Sequence, residues 1–79
     1  MFDSHGIGRM IRFHRKKAKL SQAELAKLSG VGKTVVFDVE HGKKTVRLST
    51  LIKMLYTLNI SICFNGPLMN LFRKYDEKS

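Results

Sequence analysis

Mostly apolar side chains near the start of the chain recur at the spacing of a helix. They are Ile7, Met10, Ile11, His14 and Ala18. Steps of three and four residues place them on one side of a helix, which the pattern predicts from about residue 4 to residue 19. The other sides of this helix are mostly positively charged.

A second, short helix is predicted from Gln22 to about Ser29. Ser21 and Glu24 stand three residues apart, which is the spacing of a capping box that satisfies backbone amides at a helix start. Gly30 suits the end of this helix, because glycine readily adopts the left-handed conformation that closes many helices.

A third helix is predicted from Lys33 to His41, between the turn at residues 30–32 and Gly42. Val36 and Val39 fall on one side, which should face the core. The opposite, outward side carries Thr34, Phe37, Asp38 and His41. Two short helices that flank a glycine turn form a helix-turn-helix.

The remaining apolar pattern predicts a fourth helix and then a strand. Leucine and isoleucine keep helical spacing from Leu48 to about Asn59, and we expect these side chains in the core. Residues 60–64 alternate with a period of two, which predicts a short strand. Asn65-Gly66 would favour a hairpin, but Pro67 lacks the amide that the turn requires. Residues 67–75 instead predict an amphipathic segment, and the tail from Asp76 should fray.

A five-residue strand without a second strand in the chain leaves its backbone groups unpaired. We therefore expect a homodimer in which this strand pairs with its copy across a two-fold axis. The residues predicted at that interface are Ile60, Ile62, Cys63 and Phe64. The whole chain, residues 1–79, is predicted to be one domain.

Composition points to a binding protein with an acidic partner. The chain has 15 Lys and Arg against 6 Asp and Glu, a net charge of +9. Residues 1–48 hold eleven of these basic and four of these acidic side chains, so their net charge is +7, whereas residues 49–79 have +2. A chain of 79 residues has little room for a catalytic cleft beside its core. We accordingly expect no enzyme activity.

Other classes of site find little support in the sequence. Cys63 has no second cysteine to pair with, and His5, His14 and His41 lack the spacing of metal ligands. There is no glycine-rich phosphate loop and no nucleophile beside a base. No apolar run approaches the ~20 residues of a membrane span, and no signal-peptide pattern occurs. The sequence predicts a cytoplasmic, nucleoid-associated protein without cofactor or metal.

The sequence between about residues 7 and 60 resembles the helix-turn-helix domain shared by phage repressors and Cro. The residues that carry the resemblance are Ile11, Arg12, Arg15, the run Leu20 to Ala26, Ser29 to Val31, Glu40, Gly42, Leu51 and Leu55. This resemblance implies a lambda-repressor-like bundle of four core helices, so the expected fold is all-α with a short C-terminal strand. The Gly-Val-Gly turn, the short basic loop and the predicted strand look like the HipB-type antitoxins, whose members partner a HipA-like kinase toxin.

The resemblance also implies roles for individual residues. Gln22 matches a glutamine that contacts phosphate, while Arg15 and Glu40 match a partly buried, structural ion pair. Base-reading positions fall on Lys33, Thr34 and Val35, followed one turn later by Phe37 and Asp38. Lys43 and Lys44 lie beside the recognition helix, where DNA phosphates pass. Gly32, Phe37 and Asp38 depart from the common pattern, so the DNA sequence recognised does not transfer from relatives.

Two of these positions have alternative interpretations. Phe37 either contacts a thymine methyl group or packs against a neighbouring helix. Asp38 either accepts from a cytosine amino group or pairs with a nearby Lys or Arg.

Three functions remain open from the sequence. The first is a homodimeric repressor that binds an inverted-repeat operator in double-stranded DNA, represses its own operon and neutralises a HipA-like kinase. The second is a phage-type or restriction-modification-type repressor without a toxin. The third is a protein-interaction module that has lost DNA binding.

Overall fold

The computed structural model describes residues 3–78, which form five α-helices. Their bounds are α1 Ser4–Lys17, α2 Gln22–Ser29, α3 Lys33–Glu40, α4 Leu48–Thr57 and α5 Met69–Lys78. Helices α1 to α4 build the predicted helix-turn-helix bundle, which is confirmed. None of the helices in this described part is long and apolar enough to cross a membrane.

The predicted signals at both ends of α2 are confirmed. The Ser21 hydroxyl accepts from the Glu24 amide at 3.0 Å, and the Glu24 carboxylate accepts from the Ser21 amide at 2.8 Å. Gly30 closes the helix with φ +74°, a conformation that is costly for other residues. These local interactions fix where α2 starts and stops, and therefore where α3 can begin.

The core is formed by side chains from all four bundle helices. Its buried members are Ile11, Leu25, Ala26, Val36, Val39, Met54 and Leu55. Val36 and Val39 are buried as predicted. The prediction for α4 was wrong in part, since Leu48 is 67% and Ile52 45% exposed, while Met54 is fully buried. At ~100° per residue, the buried and exposed apolar stripes lie side by side around α4.

Helices α1 and α3 meet at Gly8. A Cβ atom placed on this glycine would overlap the carbonyl oxygen of Val39 and lie 2.8 Å from that of Glu40. Real Cβ atoms do not approach backbone oxygens so closely, and these oxygens belong to the rigid last turn of α3. The absence of a side chain at residue 8 therefore permits the close packing of the two helices.

The predicted strand at residues 60–64 was wrong, and with it the strand-containing fold class. The dimer interface expected at Ile60, Ile62, Cys63 and Phe64 stays a prediction. This segment is neither helix nor strand, and the described residues contain no strand at all. A β-ladder needs a second strand, which the chain between residues 3 and 78 does not supply. Alternation over five residues is too short a pattern to override that requirement.

The C-terminal segment forms a longer helix than predicted. Helix α5 continues through Asp76 and Glu77 to Lys78, whereas the sequence predicted fraying from Asp76. None of these residues breaks a helix, and Lys78 places positive charge at the helix C-terminus, which the helix dipole favours. No residue of α5 is buried. The molecule is accordingly elongated, with extents of 42 × 25 × 23 Å.

Candidate nucleic-acid interface

The turn between α2 and α3 sets the direction of the candidate recognition helix. Its left-handed Gly30 is followed by a hydrogen bond from the Val31 amide to the Ala26 carbonyl at 3.0 Å. Gly32 then acts as the N-cap of α3, and no side chain accepts a hydrogen bond there. The first amides of α3 are therefore available to another acceptor, such as water or a phosphate oxygen.

The beginning of α3 presents short and basic side chains to solvent. Lys33 and Thr34 are exposed, whereas Val35 is half-buried and packs against the core. A side chain at the first two positions of an exposed helix can reach into a groove of DNA without rearrangement of the bundle. Val35 has only part of its surface left for such a contact.

One turn later, Phe37 stacks on His41. The two ring centroids are 3.9 Å apart, the planes differ by 24°, and the His41 Nδ1 donates to the Phe37 carbonyl at 2.7 Å. Phe37 remains 48% exposed. Phe37 therefore packs on His41, the residue directly after α3, and not against a neighbouring helix. The rest of its ring leaves an apolar surface open beside Lys33 and Thr34.

Asp38 pairs with Lys43 in the loop after α3. The Lys43 Nζ lies 3.4 Å from Asp38 Oδ2, and the Lys43 amide donates to the Asp38 carbonyl at 3.0 Å. This is the second of the two roles considered for Asp38. Lys43 contributes less free positive charge than the sequence suggests, whereas Lys44 is exposed with no ion-pair partner among the described residues.

Three polar residues that the sequence reasoning did not assign to the site lie beside this pair. A groove between α3 and α4 is lined by Val35, Asp38, Val39, Lys43, Thr45, Val46, Arg47 and Thr50. Arg47 is the N-cap residue of α4, where again no side-chain cap is made. Thr45, Arg47 and Thr50 therefore extend the basic, hydrogen-bonding surface. The signal that could have revealed them is the position of Arg47 directly before a helix start.

A buried ion pair holds α1, α2 and α3 together. The Arg15 Nε and Nη2 donate to the two carboxylate oxygens of Glu40 at 2.6 and 2.9 Å. Arg15 Nη1 also donates to the Leu20 carbonyl at 2.9 Å. The Arg15 and Glu40 side chains are 9% and 0% exposed, so water offers them no substitute partner. This two-pronged geometry fits a structural pair.

Gln22 joins this pair at the surface. Its Nε2 donates to Glu40 Oε1 at 3.2 Å, and the residue is half-buried at the first position of α2. A carboxamide nitrogen has two hydrogens, so a second donor remains for an acceptor outside the protein. Gln22 thus lies between the buried pair and the exposed end of α2.

The pKa of the Glu40 carboxyl is set by opposing effects. Burial raises this pKa, but hydrogen bonds from Arg15 and Gln22, together with the charge of Arg15, lower it further than burial raises it. The net pKa lies below the ordinary value for glutamate. The carboxylate therefore stays charged and paired at neutral pH.

This lowered pKa predicts acid sensitivity. The stabilisation from Glu40 is fully present above the pKa of an unfolded glutamate, about 4.3, and is lost as pH falls through the lower folded value. We therefore expect the free energy of unfolding to decrease as the pH is lowered beyond about 4.3. NMR titration of the Glu40 carboxyl carbon should give a midpoint below about 4.3, the pKa of an unfolded glutamate. An equal or higher midpoint for Glu40 would contradict the prediction.

None of the residues predicted for a dimer interface lines the groove between α3 and α4. Ile60 is half-buried against the core, whereas Ile62, Cys63 and Phe64 are exposed in the segment after α4. Within residues 3–78 no group of three or more His, Cys, Asp or Glu side chains could hold a metal ion. The candidate site is therefore the surface formed by Gln22, the outward side of α3 and the loop before α4.

Comparison with known proteins identifies relatives of this chain. The helix-turn-helix family matches residues 11–65. The chain is 39% identical over 61 residues to the uncharacterized HTH-type transcriptional regulator y4mF of Sinorhizobium fredii, covering 77% of this chain and 80% of that protein.

Two solved structures share the fold. The restriction-modification controller protein C.AhdI from Aeromonas hydrophila has a TM-score of 0.68 and 34% identity, over 73% of this chain and 88% of that one. A chain of the HipA-HipB-O2-O3 complex has a TM-score of 0.75 over 85% of this chain and 94% of that one. Its identity is 21%, so that likeness is one of fold.

Proposed function

Since the chain belongs to the helix-turn-helix family of transcriptional regulators, we propose that it is a repressor that binds an inverted-repeat operator as a homodimer. The observation that carries this proposal is the outward side of α3. Lys33 and Thr34 are exposed there, at a helix start whose amides have no side-chain cap. The side chains of such a helix start can reach base edges in the major groove.

The proposal gives the surrounding residues two kinds of role. Lys33, Thr34 and the open part of Val35 read bases, with Phe37 offering its exposed ring to a thymine methyl. Gln22, Lys43 and Lys44 contact phosphates on either side of the helix, and Asp38 positions Lys43 through their 3.4 Å pair. Base contacts provide specificity, while phosphate contacts fix the orientation of the protein.

Dimerisation is part of the proposal because a single short helix reads few bases. A two-fold dimer places two recognition helices about one turn of DNA apart, ~34 Å. The operator should therefore be an inverted repeat with half-sites ~10 bp apart or a multiple of that distance. In vitro selection from a pool of random duplexes would yield such a sequence, and an enriched sequence without two-fold symmetry would contradict the dimeric mode.

Binding should depend strongly on salt. If each subunit neutralises roughly three to five phosphates, log K should fall with log salt at a slope of about −5 to −9. Fluorescence anisotropy with the selected duplex at several salt concentrations measures this slope. A slope shallower than about −3 would be inconsistent with the proposed contacts. Random duplex DNA at low salt serves as the first test, and no binding there would exclude a DNA-binding function.

Lys33 should determine sequence preference. Lys33→Ala should cost about 1–3 kcal/mol on the selected operator and little on a scrambled duplex, because a base contact is lost. Lys44→Ala is the matched control, since it removes the same charge at a phosphate-contacting position and should weaken binding to both duplexes alike. Competition titrations measure the binding of each of the two variants to each of the two duplexes. If Lys33→Ala weakens both duplexes equally, Lys33 contacts phosphate instead.

A second candidate adds an antitoxin role. It is favoured by the likeness to the chain of the HipA-HipB-O2-O3 complex, which covers 85% of this chain against 73% for the controller protein. The controller is closer in sequence, at 34% identity against 21%, and favours a regulator without a toxin. Isolation of the tagged protein from its own cells would distinguish them, because a bound kinase is expected only for the antitoxin.

A further inference from the structure

Helix α4 presents an apolar groove that nothing in the described chain fills. The groove, here called the α4 groove, is lined by Leu48, Ile52, Leu55, Tyr56, Ile60, Ser61, Ile62 and Phe64 and has a volume of about 460 Å³. The exposed apolar side of α4, with Leu48 and Ile52, forms the base of this groove. No charged side chain lines it, and none of its lining residues comes from α5.

Helix α5 and Leu68 just before it carry a second apolar surface, which the described residues leave largely exposed. Leu68, Leu71, Phe72 and Tyr75 share one side and are 52–71% exposed. At the surface, Arg73 Nη2 of α5 donates to the Phe64 carbonyl of the preceding segment at 3.3 Å. A helix with a wide apolar face normally buries that face against another element.

The two surfaces together are large enough for a stable interface. Most of the exposed large hydrophobic side chains of the described residues lie between Leu48 and Tyr75. An aromatic side chain covers ~150–250 Å² when fully buried, and four of these rings are available. Together with the aliphatic side chains beside these rings, the area that can be buried approaches the ~800 Å² per partner of a standard interface.

Charge distribution favours a second copy of this chain as the occupant. Residues 49–79 have a net charge of only +2, against +7 for residues 1–48. Two copies can therefore approach through the α4 and α5 side while their strongly basic parts remain apart. An acidic partner would gain more from the basic half of the molecule.

We propose that α5 of one copy binds in the α4 groove of a second copy, and that the second copy returns the same contact. This exchange buries both apolar surfaces of both chains through one two-fold axis, which is the symmetry that a homodimer requires. The inference rests on the homodimer of the proposed function and names its interface. It leaves the outward side of α3 free in each subunit.

Single substitutions on the two surfaces test the interface by sedimentation equilibrium. Phe72→Glu and Ile52→Glu should each raise the dimer dissociation constant about 30-fold or more, since each places a charge in an apolar contact. Asn70→Glu is the matched control on the polar side of α5, where a carboxylate can still accept from Arg73, and it should remain dimeric. Circular dichroism should show that all three keep their helices, because no residue of α5 is buried and Ile52 of α4 is 45% exposed. A monomeric wild-type protein, or a Phe72→Glu protein that dimerises normally, would overturn the proposal.

Disulfide formation identifies which copy fills the groove. In a Cys63→Ser background, one chain carries Ile52→Cys and another Leu71→Cys, and the two are mixed before oxidation. The proposal expects a covalent heterodimer from this mixture. If a disulfide forms only when both cysteines are on the same chain, α5 folds back on its own groove and the proposal is wrong.

The same proteins separate this inference from the proposed function. Wild-type binding to random duplex DNA, without dimers joined through α5, would refute the interface and leave DNA binding intact. A dimer that forms the disulfide but does not bind DNA would refute the function and leave the interface intact.

Discussion

Replacing Glu40 with alanine should lower the free energy of unfolding by about 3–5 kcal/mol. The substitution removes both carboxylate acceptors of Arg15, whose side chain is 9% exposed and cannot turn to water. A buried charge without a partner is costly, because its desolvation is no longer offset by an ion pair. A domain of this size has only about 4–12 kcal/mol of stability in total, so a large unfolded fraction is expected at 37 °C. Urea unfolding followed by circular dichroism measures the loss.

The control is the removal of both charges together. Arg15→Met combined with Glu40→Leu leaves no unpaired ion, and it should be more stable than Glu40→Ala. The single substitutions Arg15→Met and Glu40→Leu complete a double-mutant cycle, which isolates the coupling between the two side chains. If the single substitution costs less than about 1 kcal/mol, the pair behaves as an exposed salt bridge and its structural role is refuted.

Gly8→Ala should destabilise the protein by about 1–3 kcal/mol or more, although alanine favours helices. The new methyl group would overlap the Val39 and Glu40 carbonyl oxygens, and backbone atoms in the last turn of α3 cannot rotate away. Relief requires α1 and α3 to separate, which also stretches the contact between Arg15 and Glu40. Thermal unfolding should therefore occur at a lower temperature.

Gly66→Ala provides the comparison for the same chemical change. A Cβ at this position would meet only the Met69 Cγ, at 3.9 Å, and the residue has no left-handed φ. The effect should lie within about 1 kcal/mol and can be stabilising, since alanine restricts the unfolded chain. Equal effects at residues 8 and 66 would show that close helix packing at Gly8 is not required.

Local signals explain what the sequence predicted well. The Ser21 and Glu24 capping box and the left-handed Gly30 act within a few residues, so the bounds of α2 follow from the sequence directly. Val36 and Val39 were assigned to the core correctly because they lie three residues apart, on one side of the short helix α3. The Arg15 and Glu40 contact, 25 residues apart, came from the family resemblance and not from the pattern.

The errors arise where tertiary structure decides. Ile60, Ile62 and Phe64 alternate like a strand, but pairing depends on a partner that the described chain lacks. Leu48 and Ile52 have the spacing of core residues, yet α4 is apolar over more than one side and only the Met54 side meets the core. Glycine has a low helix propensity, so the sequence alone gives no reason for Gly8 in α1. Its role in packing is visible only once the position of the α3 backbone is known. In the site, the sequence left two roles open for Asp38, and only the folded loop after α3 brings its carboxylate to Lys43.

The Arg15, Glu40 and Gln22 network fixes the angle between the helices before any DNA is present. Because the recognition surface is already ordered, the binding of an operator would not need to compensate for a large loss of conformational entropy. Calorimetry should then give a heat-capacity change in proportion to the contact area alone, without the additional contribution of a folding step. In this respect the buried pair would contribute to affinity without touching the DNA.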